Sequence, residues 1–281
     1  MKVEKLFIKL FSLVGSPDAE GARQIEQAKS DCCRRRSDTE LCYVYDVRPG
    51  HGFVWEENVD KVLGVEKLNL ERFRASIHPE FVDVFAIYCR ATYECIVGLP
   101  PSLMMNGEFT FNCNVPFRRA SGEYYWYKMT SRPVAFDESG QLVCHFNQHY
   151  PLAPYQKMMP EPPEITVHGL LHPPSSEFLS HKANKYFDVM LQEKLSTGGY
   201  RLLTAYRNQT VASGGSWSVP AKSAVAATLG VSTGGLDRAI SRLLRDVRLF
   251  YPSHAVRNIA DLVVQLNQLF GHPQSSRFAG S

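Results

Sequence analysis

The chain has 281 residues, enough for two modest domains, and its hydrophobic (44%) and charged (21%) fractions are ordinary for a globular protein. No apolar run reaches the ~18 to 20 residues of a membrane span, which argues against an integral membrane protein. The seven cysteines are odd in number and form no C-x-x-C pair or disulfide ladder, which favours free thiols in a reducing compartment. We therefore expect a cytoplasmic protein with no membrane partner.

The net charge of +3 is unevenly distributed along the chain. From Glu177 to the end there are 12 lysines and arginines against 6 acidic residues, a surplus of +6, and the remainder carries −3. A basic C-terminal part on a mildly acidic body indicates a polyanionic partner for that part alone. Chance scatter of surface charge is the alternative.

The N-terminal segment, residues 1–37, is predicted to be helical. Leu6, Leu10, Leu13 and Val14 fall at helical spacing. Glu4 and Lys9 interrupt the apolar run, so an amphipathic helix is favoured over a signal peptide. The three arginines at 34–36 are typical of a solvated loop.

The next segment, residues 38–150, alternates between strand and helix signals. Alternating aromatic and β-branched residues predict strands, and capping residues with helical periodicity predict helices. The predicted order is strands at 41–47 and 52–56, helices at 58–64, 70–77 and from 78 to before Gly98, and strands at 108–119, 124–136 and 141–148. The last three strands are joined by tight turns and must be antiparallel.

Two motifs in this segment resemble those of the PAS family. The first is Ile77-His78-Pro79-Glu80, and the second runs from Val115 to Trp126. Phe81 stands where the family usually has Asp, and Ser121-Gly122 replaces its Asp-Gly turn. The resemblance implies a five-stranded antiparallel sheet with helices closing one face, and a role in sensing small molecules, redox state or light, or in dimerisation.

The residues of this segment do not match the binding motifs for the cofactors that such domains carry. Cys89 and Cys95 lack the G-x-N-C-R-F context of a flavin-cysteine photoreceptor. His78, beside proline, is expected to cap and turn the chain rather than bind haem, and His145 and His149 are spaced too poorly on a strand for one metal. We expect no metal and no cofactor, with room for a small-molecule ligand. The candidates for lining its pocket are Trp55, Phe73, Phe85, Tyr88, Phe111 and Trp126, although such aromatic residues are more often plain core.

The segment 151–178 is predicted to be a proline-rich linker. Residues 150–176 contain seven of the 17 prolines of the chain. Repeated proline is expected to prevent a packed sheet or a long helix there. A helical domain, residues 179–281, follows.

Within that domain the sequence predicts a helix-turn-helix. A short helix at 222–229 precedes the turn Gly230-Val231-Ser232, in which Gly relieves the backbone, Val231 is expected to fill the core and Ser232 caps the next helix. On a helix from Thr233 to Arg245, an apolar side and an opposite cationic side emerge. The apolar side contains Leu236, Ile240, Leu243 and Leu244; the opposite side contains Gly234, Arg238, Ser241 and Arg245, flanked by Arg242.

This stretch resembles the LuxR-type helix-turn-helix of bacterial regulators, with the core I-A-x-x-L-x-I-S-x-x-T-V. The matching positions are Val225, Ala226, Leu229, Val231, Ser232 and Leu236. Gly235 replaces the usual Thr, and the family's preceding L-T-x-R-E-x-E-V-L segment is hard to find. The resemblance implies double-stranded DNA as partner and a homodimer, whose subunits the apolar face of the last helix could pair. The predicted DNA contacts are Lys222, Ser232, Thr233, Gly234, Arg238, Ser241, Arg242, Arg245 and Arg248. Of these, Lys222 and Arg248 are expected to help hold phosphates.

The sequence therefore predicts an α+β protein. A PAS-like five-stranded antiparallel sheet with flanking helices would precede an all-α helix-turn-helix domain, and the whole would regulate transcription. Two alternatives stay open: a PAS ligand-binding or interaction module whose helical tail only dimerises, and a helical bundle that binds no DNA. No Walker A, Gly-x-Ser-x-Gly, His-Glu-x-x-His or kinase motif occurs, so we do not expect an enzyme.

Overall fold

The computed structural model describes residues 15–35, 37–97, 109–155, 164–167, 176–213, 216–249 and 256–270. The N-terminal elements are α1 (Ala19–Arg35), β1 (Leu41–Asp46), β2 (Gly52–Glu57), α2 (Val59–Leu63), α3 (Leu70–Ser76), a 3₁₀ turn (Pro79–Phe81), α4 (Val82–Val97), β3 (Phe109–Arg118), β4 (Tyr124–Phe136), β5 (Leu142–Pro154) and β6 (Glu164–Val167). The C-terminal elements are α5 (Ser176–Lys194), α6 (Thr197–Gln209), β7 (Val211–Ser213), β8 (Ser216–Ser218), α7 (Lys222–Leu229), α8 (Thr233–Val247) and α9 (Ile259–Phe270).

The chain divides into two compact units. Among the described residues, the first holds α1 to β6 and the start of α5 up to Leu179, and the second holds the rest of α5 and everything after it. The predicted α+β class is confirmed. The predicted amphipathic helix around Leu6 to Val14 lies outside the described residues.

The first unit is built on an antiparallel sheet with the strand order β2-β1-β5-β4-β3-β6. Its first five strands are those that the alternation predicted. The sixth strand was not expected, because β6 lies inside the proline-rich segment. The residues 164–167 contain no proline, so their backbone is free to pair with β3, with Phe109 opposite Val167.

One face of this sheet is covered by α1. Ala28 of α1 is buried with Cys42, Val44 and Cys144 of the strands. Gly21 allows the close approach, since a Cβ there would lie 2.9 Å from the Cβ of Ala135. The helix continues to Arg35, so the loop predicted at 34–36 is wrong for its first two arginines.

The other face of the sheet is covered by α3 and α4. Asn58, predicted to cap α2, adopts a left-handed conformation (φ 59°) and makes no side-chain cap; its amide instead donates to the carbonyls of Ser37 and Glu40. The Nδ1 atom of His78 accepts a 3.3 Å hydrogen bond from the backbone N–H of Glu80 and so caps the 3₁₀ turn that leads into α4.

The second unit is a helical bundle that also contains the short hairpin β7–β8, which the expectation of an all-α domain did not include. The buried guanidinium of Arg207 in α6 connects three helices. It donates to Asn184 (3.0 Å) and Asp188 (3.2 Å) of α5 and to Asn267 (3.1 Å) of α9. None of the helices in the described part of the chain has the length and apolar character that a membrane crossing requires.

Candidate nucleic-acid interface and ligand cavity

The turn between α7 and α8 is formed by a left-handed glycine and a serine cap. Gly230 ends α7 with φ 67°, and its N–H donates to the carbonyls of Ala226 and Ala227. A Cβ is disfavoured at this φ, which explains the glycine. The hydroxyl of Ser232 accepts a 3.2 Å hydrogen bond from the N–H of Gly235 and caps α8. The predicted helix-turn-helix backbone is therefore present.

The inner side of α8 matches the predicted apolar stripe. Leu236, Ile240, Leu243 and Leu244 are all buried, and Val247 extends the stripe by one turn. Val231 differs from expectation: its side chain is 46% exposed and does not fill the core. Leu236, rather than Val231, is fully enclosed.

The outer side of α8 is cationic and exposed. The predicted contact residues at exposed positions here are Thr233, Gly234, Arg238, Ser241, Arg242, Arg245 and Arg248. Arg238 and Arg242 form no ion pair with any residue that the structure describes. Gly234 has open space where its Cβ would be, so the first turn of the helix presents bare backbone.

Several of the predicted DNA contacts also form hydrogen bonds or ion pairs within the protein. Lys222 Nζ lies 2.5 Å from Asp237 Oδ1, and this hydrogen bond raises the pKa of Lys222. The Arg248 guanidinium donates to the carbonyl of Val256 (3.1 Å), and Arg245 pairs with Asp246 at 3.3 Å. Lys222 and Arg248 are therefore less available for phosphates than the sequence suggested, and Asp237, on an exposed position of α8, was missed.

The first unit contains a partly open cavity of about 130 Å³ between the sheet and the helices α3 and α4. Three of the six predicted pocket residues, Phe73, Phe85 and Phe111, line it. Further apolar residues that line it, which the sequence did not single out, include Tyr43, Phe53, Ile77, Phe109 and Met129.

The other three predicted pocket residues lie elsewhere. Trp55 is turned to the opposite sheet face by a bulge: Tyr45 pairs with Phe53 but Val44 pairs with Trp55, so the intervening Val54 shifts the alternation. The Trp55 ring accordingly packs 6.3 Å from that of Phe146, beside α1.

Trp126 lies at the start of β4, where its ring packs against Phe81 (5.7 Å) and Tyr155 (5.1 Å). Tyr88 occupies a side of α4 roughly 100° away from the side that lines the cavity, and it is buried near Phe81 (6.5 Å). Both residues belong to the core at the end of the sheet.

A group of uncharged polar side chains forms one wall of the cavity. His145 Nε2 lies 2.5 Å from the Tyr93 hydroxyl, and its Nδ1 lies 2.8 Å from the Asn147 amide and 3.2 Å from the Ser131 hydroxyl. Burial lowers the pKa of His145 to about 4, so the ring is neutral at pH 7. Burial also raises the pKa of Tyr93 and Tyr45.

Cys89 and His149 of this unit lie in separate surroundings. Burial raises the pKa of Cys89, which lines the cavity, to about 12, so the thiol stays protonated. His149 stacks on Tyr43 at 5.4 Å, and burial lowers its pKa to about 3. Within the described ranges, no three or more His, Cys, Asp or Glu residues are grouped so as to hold a metal ion.

No known protein-family pattern matches the chain, and no curated protein matches it in sequence. Among solved structures, it is similar to the N-terminal domain of a diguanylate cyclase with PAS/PAC sensor from Marinobacter aquaeolei, at 14% identity and a TM-score of 0.30, covering 41% of this chain and 95% of that one.

Two further neighbours cover more of the chain. A phage VqmA–DPO complex matches at 12% identity and a TM-score of 0.30, covering 88% of this chain and 89% of that one. The VqmA dimer of Vibrio cholerae, described as a LuxR-type receptor, matches at 10% identity and a TM-score of 0.31, covering 85% of this chain and 86% of that one.

Proposed function

We propose that the protein is a cytoplasmic DNA-binding transcription regulator. Its first, PAS-like unit would sense a ligand or dimerise, and its second unit would contact duplex DNA through α8. The observation that carries this proposal is the exposed row of arginines on a helix whose opposite side is buried and whose start is joined to α7 by a tight turn.

The shape and the chemistry of α8 both suit the major groove. An α-helix fits this groove, and in helix-turn-helix proteins the second helix lies in it while the first crosses the backbone. Arg238, Arg242 and Arg245 can reach phosphates or the O6 and N7 atoms of guanine. The bare backbone at Gly234 lets the start of the helix approach DNA closely.

Binding of the full-length protein to a fluorescent duplex of random sequence, measured by anisotropy at several salt concentrations, tests this proposal. With about four phosphate contacts, the slope of log K against log salt is about −3.6, so affinity falls roughly 150-fold between 50 and 200 mM salt. The absence of binding at low salt would favour the alternative in which the helical unit only dimerises.

We further propose that the cavity binds a small uncharged ligand with a single ring. Its volume of about 130 Å³ is close to that of an engineered 150 Å³ protein cavity that binds benzene. Aromatic side chains can pack on the faces of a ring. The neutral His145, Tyr93 and Asn147 would offer hydrogen bonds to polar atoms on one edge of the ring. Arg74, which also lines the cavity, is charged and lies at an exposed position of α3.

Native mass spectrometry of the purified protein would detect such a ligand and report the oligomeric state together. Ala86→Phe places a ring inside the cavity and is expected to abolish retention of the ligand. Ala75→Phe, at an exposed position of α3, is the matched control and should retain it. Retention by Ala86→Phe would exclude this cavity as the site.

We propose that the protein is a homodimer, because paired subunits would suit a palindromic site. The apolar face of α9 does not supply the interface in its described part: Ile259, Leu262, Val263 and Leu266 are already buried within the chain. A dimer in the native mass spectrum at micromolar concentration is the expected result, and a monomer at all concentrations would contradict it.

A further inference from the structure

An acidic side chain stands among the arginines of α8. The Asp237 side chain is 55% exposed, one position before Arg238 and one helical turn before Ser241. A carboxylate at such a place repels the phosphates of a bound duplex, so its presence on a cationic surface requires a compensating charge or a favourable contact with DNA.

The structure supplies the compensating charge. Lys222, fifteen residues earlier at the start of α7, places its Nζ 2.5 Å from Asp237 Oδ1. The pair is neutral as a whole, which reduces its repulsion of phosphate. The second carboxylate oxygen, Oδ2, accepts no hydrogen bond from any residue in the described ranges. One acceptor atom therefore stays available on the exposed side of α8.

In the major groove, an acceptor recognises an amino group on a base edge. Cytosine presents the N4 amino group, and carboxylates are known partners of this group. Adenine presents an N6 amino group beside the N7 acceptor, whose lone pair repels a carboxylate; thymine O4 and guanine O6 and N7 are acceptors as well. A carboxylate at this position therefore favours cytosine over the other three bases.

We propose that Asp237 determines specificity by selecting a cytosine in the target site, and that Lys222 is a positioning residue that holds its carboxylate. This inference rests on the proposed DNA-binding function. It also gives Lys222 a different role from the phosphate contact that the sequence suggested, since the ammonium group is engaged by Asp237.

Selection from a random DNA library by the full-length protein, followed by sequencing, tests the inference and works for an unidentified target site. The wild-type motif should contain a C·G pair that Asp237→Asn and Asp237→Ala no longer prefer, with discrimination at that position falling roughly 10-fold. Glu193→Gln removes the same charge from an exposed position of α5 in the same unit and should leave the base preference unchanged at every position.

The role of Lys222 is tested by the cytosine preference of two variants. Lys222→Ala should weaken the same cytosine preference, and Lys222→Arg should restore it because a guanidinium can also hold the carboxylate. A purely structural role for Lys222 would lower affinity for all sequences equally, and that outcome would overturn its assignment.

The two proposals fail in different ways. If the wild-type protein enriches a motif and Asp237→Asn enriches the same motif with the same preference at every position, the role of Asp237 is wrong while DNA binding stands. If the wild-type protein enriches no sequence and binds no duplex at low salt, the proposed DNA-binding function itself is wrong.

Discussion

The arginines of α8 that have no ion-pair partner among the described residues provide the sharpest test of DNA binding. Arg238→Ala with Arg242→Ala removes two exposed guanidinium groups and leaves the buried side of the helix unchanged. Arginine and alanine are both good helix formers, so α8 should persist in the variant. Any loss of DNA affinity then reports lost contacts with the duplex.

The expected loss of DNA affinity follows from the two charged hydrogen bonds that the variant removes. A hydrogen bond to a charged group contributes about 1.5 kcal/mol, so two of them contribute about 3 kcal/mol, or roughly 100-fold in Kd. Each lost phosphate contact also makes the plot of log K against log salt shallower by about 0.9, hence by about 1.8 for two phosphate contacts.

Fluorescence anisotropy with one duplex at several salt concentrations measures both quantities. The matched control is Lys185→Ala with Lys194→Ala, which removes two exposed positive charges from α5 of the same unit and should change Kd by no more than a few-fold. Equal Kd and equal salt slope for the arginine variant and the wild type would refute the assignment of α8 as the DNA-contacting helix.

Three further predictions concern stability. Gly230→Ala should lower the free energy of unfolding of the second unit by about 1 kcal/mol, seen as a lower midpoint in urea, because alanine is strained at φ 67°; an unchanged midpoint would contradict the left-handed turn. Arg207→Met should lower the free energy of unfolding of the same unit by about 3 kcal/mol, because it leaves the side-chain carbonyl oxygens of Asn184 and Asn267 buried without their donor. Calorimetry should then show unfolding at a lower temperature. Because burial lowers the pKa of His145 from 6.5 to about 4, the unfolded chain binds a proton there that the folded chain does not, so stability should fall by about 3 kcal/mol as pH drops from 6.5 to 4. His145→Gln should flatten this part of the pH profile in urea titrations, and an unchanged profile would mean that His145 is not buried in its neutral form.

Local signals in the sequence were sufficient for the order of elements from β1 to β5 in the first unit and for α7 and α8 in the second. Alternation of apolar residues identified β1 to β5, because a half-buried strand repeats every two residues. Gly230 and Ser232 identified the turn before α8, since their backbone and capping roles depend only on near neighbours in the chain. The same is true of the two sides of α8, which follow from the helical repeat alone.

What the sequence could not determine depends on contacts between distant residues. The bulge at Val54, which sends Trp55 away from the cavity, is a property of the pairing between β1 and β2. The pairing of β6 with β3 likewise involves residues more than 50 positions apart. Alternation within a single strand contains no information about either feature.

The sequence by itself determined that α8 would bury leucines and expose arginines, because a helical repeat of 3.6 residues places the two sets on opposite sides. Only the tertiary structure decided that Lys222 reaches Asp237, that Arg207 connects three helices, and that His145 stays neutral inside a cavity. Those features need side chains from separate elements to meet within hydrogen-bonding distance, and the pKa of a buried ring is set by the surroundings that folding assembles.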